Sequence, residues 1–167
     1  MKYTSAEAAK LVAKLQQEHM NVLSLEKQSR TFLASVGEDV ESVRPEYNYE
    51  KTKIHLLTLE RKIRKVKHAI NVFNAKTVIP EFDMTIDEML VYIPQLTKKK
   101  DKLKEMANAL PKTRSDEYPM SNIIDYRYAN YDLKKARNDL EAITEELSKA
   151  QLALDSVNHT ITFEIEE

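Results

Sequence analysis

Lysine ammoniums and asparagine amides set side by side can hold an anion, because the ammonium supplies charge and the amide a directed hydrogen bond. Lys67, His68, Asn71 and Asn74 form such a set, at the end of a segment where apolar side chains would be expected. Arg64, Lys67, Asn71 and Asn74 step by three, four and three residues, which on a helix makes a stripe flanking a helix contact. Asparagine is a poor residue for a helix interior, since its side chain competes for backbone hydrogen bonds, so two of them one turn apart call for an explanation. One reading is structural: Asn74 caps a helix end and Asn71 bonds across to another helix, fixing register. The other is functional: Lys67, Asn71 and Asn74, joined by His68, point into a cleft between helices and hold a small anionic ligand.

A second group, Lys112, Arg114, Tyr126 and Arg127, brackets the connection that follows the third helix, where Pro111 makes a turn in place of helical continuation. The planar fork of an arginine can hold a phosphate with two hydrogen bonds. Tyr126 or Tyr128 could stack on a base, with at least one of the two expected to serve only in packing. If a small sheet caps the end of the helices where Asn74 emerges, these cations converge with Lys67 around one concavity.

Other chemistries find little footing. His19, His55, His68 and His159 are scattered, and none pairs with a second ligand at metal spacing, so no metal and no cofactor is expected. Glu141, Glu145 and Glu146 read as solubilising residues of a helix exterior, and no spacing singles out a general acid, a base or a nucleophile. The expectation is a protein without enzymatic activity. With no cysteine there is no disulfide, thiolate site or cysteine nucleophile, which fits a reducing compartment. With one glycine in 167 residues there is no phosphate-cradling glycine-rich loop.

Net charge is −1, but Lys51 to Lys76 holds eight basic residues against the single acid Glu60, and a second basic run covers Lys98, Lys99, Lys100, Lys102 and Lys104. Such runs are usually solvated faces. Nucleic acid is a weak candidate partner, because the overall balance is slightly acidic and aromatic residues do not interleave with the basic run. No apolar run approaches the ~20 residues that span a bilayer, and the N-terminus reads as an amphipathic helix, so a cytoplasmic protein with no membrane contact is expected.

Four long amphipathic helices must position these groups, at about 5–36, 47–76, 86–109 and 131–157. In the second, Leu56, Leu59, Ile63, Val66, Ile70 and Phe73 alternate steps of three and four, keeping one stripe toward a neighbouring helix. The fourth repeats the pattern from Leu133 to Val157 with small alanines at alternate turns. The first carries Ala8, Leu11, Leu15, Val22, Leu25, Phe32 and Val36, with Glu18 and Ser29 interrupting. Thr4 and Glu7 form a capping-box pattern at its start, and Gly37 is placed to cap its end. The third opens at Thr85 with Glu88 as reciprocal cap, and Pro94 is expected to kink it. Strand character appears at 77–79, 122–128 and 160–165, where Ile161, Phe163 and Ile165 alternate with polar residues.

The stretch Leu59 to Thr77, with Ile70-Asn71 followed by Asn74-Ala75 and Thr77, then Thr85 and Glu88, and later Leu154-Asp155 followed by Asn158 and Thr160, resembles the small bacterial helical proteins called septicolysin-like. The resemblance runs from about residue 50 onward and implies a long-helix fold with a terminal strand. It carries no activity to any residue, and the Lys98 run and the Tyr126, Tyr128, Tyr131 segment fall outside it. A lytic role finds no support, since the amphipathic helices have no extended apolar face of the membrane-inserting kind.

The expected fold is therefore mainly α: one domain over 1–167, with four long amphipathic helices in an antiparallel coiled-coil-like bundle and a small three-stranded antiparallel sheet at one end. Helices of about 25 residues extend roughly 40 Å and leave seams to cover, which favours a homo-oligomer. Two functions fit: an oligomer that captures a small anionic, nucleotide-derived ligand in a polar cleft, or a coiled-coil scaffold whose asparagines serve register alone.

Overall fold

The computed structural model describes residues 1–115 and 124–165. The chain packs as two compact units, Met1–Lys76 with Val157–Glu167, and Thr77–Ser156. It is mainly helical with small antiparallel sheets, and among the described residues no helix is long and apolar enough to cross a membrane.

In the first unit, strand β1 (Lys2–Thr4) leads into helix α1 (Ser5–Ser29) through the expected capping box. The Thr4 hydroxyl accepts the Glu7 N–H at 3.2 Å, and the Glu7 carboxylate accepts the Thr4 N–H at 2.9 Å, satisfying two donors that a helix start leaves open. The helix stops at Ser29, seven residues short of the expected end. Of the two residues that would have extended its stripe, Val36 is fully exposed, and Phe32 is half-buried under Arg44, outside the helix. Gly37 accordingly does not cap α1. Its φ of +89° serves a turn closed by the Glu38 N–H donating to the Ser35 carbonyl at 3.0 Å.

A four-residue helix α2 (Val40–Val43) follows, and then α3 (Tyr49–Lys76), antiparallel to α1. The pairing order fixes this direction. Tyr47 donates to Glu26 at 2.9 Å, His55 meets Glu18 at 3.2 Å, and His19 meets Glu60 at 3.4 Å. Leu59, Val66 and Phe73 of the expected α3 seam are buried, and Leu59 and Val66 join Ala8, Val12, Leu15 and Ile165 in one core. Strand β6 (Thr162–Glu164) completes the unit by pairing antiparallel with β1, Tyr3 opposite Phe163.

In the second unit, β2 (Val78–Ile79) and β3 (Met84–Thr85) form a short hairpin whose turn holds Asp83 at φ +51°. Helix α4 (Ile86–Asn108) follows, opened by the Thr85–Glu88 capping box. Ile79 of β2 and Ile86, Met89 and Leu96 of α4 are the largest fully buried side chains among the described residues. Pro94 stands exposed inside α4, and the helix continues through it. Strands β4 (Lys112–Ser115) and β5 (Asp125–Tyr128) pair antiparallel after α4. Helix α5 (Leu133–Thr160) begins where Asp132 accepts the Lys134 and Lys135 N–H groups. Its path antiparallel to α4 is marked by Arg137 donating to the Ala107 carbonyl at 3.3 Å and by Tyr92 donating to Glu146.

The expected three-stranded sheet is not formed. Three separate two-stranded ladders take its place, because each expected strand finds a different partner: Val78–Ile79 the segment just ahead of α4, Asp125–Tyr128 the segment just after it, and Thr162–Glu164 the first residues of the chain. Residues 122 and 123 of the expected middle strand lie outside the described residues.

Candidate functional site

Helix α3 turns Val66 toward α1, and its basic residues divide around that line at ~100° per residue. Lys67 and Asn71 fall on one side. They border a groove of about 330 Å³ with Ile70 of the same helix and with Ala9 and Val12 of α1. Both side chains are exposed at its rim, while Val12 is buried at its base. Asn74 lies on the same side one turn further and is half-buried, and its Oδ1 is buried without a hydrogen-bond partner among the described residues. A buried amide oxygen without a donor is costly, so this atom is a place where a further donor would be stabilising.

Two members of the expected stripe point elsewhere. Arg64 and His68 are exposed, about 160° and 200° around α3 from Val66, and so stand on the face away from α1. Asn71 is exposed, unlike a register-setting amide in a buried seam, while Asn74 lies two residues from the α3 end at Lys76.

Lys112, Arg114, Tyr126 and Arg127 belong to the second unit, on the β4–β5 hairpin. The register places Lys112 opposite Tyr128, Arg114 opposite Tyr126 and Thr113 opposite Arg127. Alternation then puts Lys112, Arg114, Tyr126 and Tyr128 on one face and Arg127 on the other. Tyr126 and Tyr128, two residues apart, therefore share a face. The Lys112 ammonium lies 3.9 Å from the Tyr126 ring centroid and 5.5 Å from that of Tyr128, so this cation already has aromatic partners. The hairpin follows the last turn of α4, whereas Thr77 bonds to Ile86 at the first, and α4's 23 residues span roughly 35 Å. Within the second unit the hairpin thus lies at the opposite end of α4 from Thr77.

Spacing alone passed over the other side of the α1–α3 seam. There Lys62 and Lys65 border a groove of about 250 Å³ with Val66, with Leu11 and Leu15 of α1, and with Tyr3 and Ile165 beside the β1–β6 ladder. The available signal was the three-residue step from Lys62 to Lys65 flanking a seam valine. Among the described residues no three His, Asp or Glu side chains gather as a metal-binding group.

No protein-family model matches this chain, and no curated protein matches it. Its fold is similar to that of a solved structure described as a functionally unknown conserved protein from Corynebacterium diphtheriae. That likeness covers 98% of this chain and 100% of the other, with a TM-score of 0.63 and 19% sequence identity. At that identity it establishes the fold and nothing about a ligand.

Proposed function

We propose that the protein is a non-catalytic, oligomeric binding protein that captures a small anionic ligand beside the seam between α1 and α3, with nucleotide-derived molecules as the leading class. The observation that carries this reading is the groove shared by Lys67, Asn71, Ile70, Ala9 and Val12. It sets a point charge and a hydrogen-bonding amide at the edge of an apolar floor, the arrangement by which small-molecule sites combine burial with orientation. Asn74 lies one turn further along the same side of α3, outside the lining of this groove. We place the protein in the cytoplasm and among septicolysin-like proteins, a kinship consistent with α3 carrying both the seam and the polar flank.

The test is a thermal-shift panel of nucleotides and related anions on the native protein and on Lys67→Ala and Asn71→Ala. Both side chains are exposed, so the variants should fold and assemble as the native protein does. Each should weaken the binding of any stabilising anion by about tenfold or more, as loss of a charged or directed hydrogen bond does. Unchanged affinity in both variants would remove the site.

A scaffold is the second reading, favoured by one observation. The end of the α1–α3 hairpin that holds the connecting loop exposes Leu25, Leu33, Val36, Ile54 and Leu57, and such apolar surface marks a place where chains meet. Asn71→Leu separates the two readings. Under capture it removes ligand binding alone, and under a register role it changes oligomer size or raises thermal stability.

A further inference from the structure

We propose that copies of this chain assemble by laying the outward face of α3 on one copy antiparallel along the outward face of α5 on the next. This contact rests on the oligomeric reading given above and names the two surfaces that meet.

At ~100° per residue, Leu57, Arg64 and His68 fall within about 40° of one another on α3, roughly opposite the buried Val66. Glu141, Glu145 and Leu152 fall within about 40° of one another on α5, roughly opposite the buried Ala150. All six side chains are exposed, Leu57 by 54% and Leu152 by 68%. Each helix therefore carries an unpartnered outer stripe that combines one large apolar residue with charge or imidazole.

The two stripes match in reverse. From Leu57, α3 steps seven residues to Arg64 and four more to His68; from Leu152, α5 steps back seven to Glu145 and four more to Glu141. Antiparallel helices of equal rise keep the sum of facing residue numbers constant. One register thus sets Leu57 against Leu152, Arg64 against Glu145 and His68 against Glu141 at once. It removes an apolar pair from water, offers a guanidinium to a carboxylate and gives an imidazole N–H to a second carboxylate. The intervening position sets Arg61 against Ser148, with no like charges facing. Two α3 stripes brought together would crowd cations against cations, so a second α3 is the wrong occupant. Glu145 also meets Lys149 at 2.7 Å, but both side chains of that pair are about two-thirds exposed, and such surface pairs contribute little against a new arginine partner.

The experiment is sedimentation of the full-length chain as Arg64→Glu, as Glu145→Arg, and as an equal mixture of the two. Every copy contributes α3 to one contact and α5 to another, so either reversal alone sets like charges at every contact. Each should weaken association by about tenfold or more. In the mixture the reversed position 64 of one chain meets the reversed position 145 of the other, while native Arg64 meets native Glu145 at the remaining contact. Assembly should then return to that of the native protein, a recovery that also shows both variants to be folded. Leu152→Glu should dissociate the protein as Leu57→Glu does. A mixture that stays dissociated, or a reversal that leaves the native assembly intact, overturns this pairing and leaves the oligomeric reading standing. A native protein that sediments as one chain of 19.4 kDa contradicts both.

Discussion

The rings of Phe73 and Phe163 stack with centroids 4.4 Å apart and planes 20° from parallel. Phe73 ends the seam of α3, and Phe163 is the central residue of β6, so this pair ties the last turn of α3 to the strand that follows α5. Phe73 is 8% exposed, and truncating a buried phenylalanine typically costs about 3–5 kcal/mol. A double-mutant cycle on Phe73→Ala and Phe163→Ala, followed by urea denaturation, should show a coupling of about 0.5–1.5 kcal/mol beyond the single effects. Additive losses would mean that the stacking contributes only area.

Acid should weaken the helix starts. Glu7 and Glu88 are each held below the usual carboxylate range, first by the backbone N–H and then by the hydroxyl of Thr4 and Thr85. A carboxyl whose pKa is lower when folded contributes stability that is present above its unfolded pKa of about 4.3 and is lost as the pH falls through the folded value. Melting temperatures measured from pH 6 to pH 3 should therefore fall less steeply for Glu7→Gln with Glu88→Gln than for the native protein. Equal slopes would show that the caps are not charge-assisted.

At alkaline pH the sign reverses. Tyr92 has a raised pKa, chiefly because its hydroxyl donates to Glu146, and Tyr47 is raised by burial and by its bond to Glu26. Stability from such a group is full below the unfolded tyrosine pKa of about 10 and is lost as the pH climbs through the folded value. In a spectroscopic titration Tyr92 and Tyr47 should ionise above the ordinary tyrosine value. One of those late titrations should disappear in Tyr92→Phe.

The exposed leucines and isoleucine at the loop end of the first hairpin predict assembly. Light scattering should give a mass above the 19.4 kDa of one chain, and Ile54→Glu with Leu57→Glu should return it to that value. A native protein that already scatters as one chain would leave those residues without the partner proposed for them.

What the sequence revealed follows the range of the interactions involved. The seam from Leu56 to Phe73 and both capping boxes depend on neighbours within a turn or two, so their spacing is visible in one dimension. The pairing of Lys2–Thr4 with Thr162–Glu164 joins the two ends of the chain, and three residues before a helix cap are too few to show alternation. The premature end of α1 was hidden because Phe32 and Val36 keep the apolar pattern, while Val36 finds nothing to pack against and Phe32 packs under Arg44 of the connecting segment. Lys67 and Asn71 border the groove beside the seam, whereas Arg64 of the same expected stripe stands on the far face of α3. Spacing could not show that Lys112 and Arg114 attach at the far end of α4 from Thr77, nor that Tyr3 and Ile165 close a groove around Lys62 and Lys65, because both depend on tertiary packing.

The most direct test of ligand capture is mass spectrometry of small molecules released when the purified protein is denatured. The native chain should release one anionic species in near-stoichiometric amount, and the Lys67→Ala, Asn71→Ala double variant should release none. Native protein that releases no more than this double variant would contradict capture beside the α1–α3 seam.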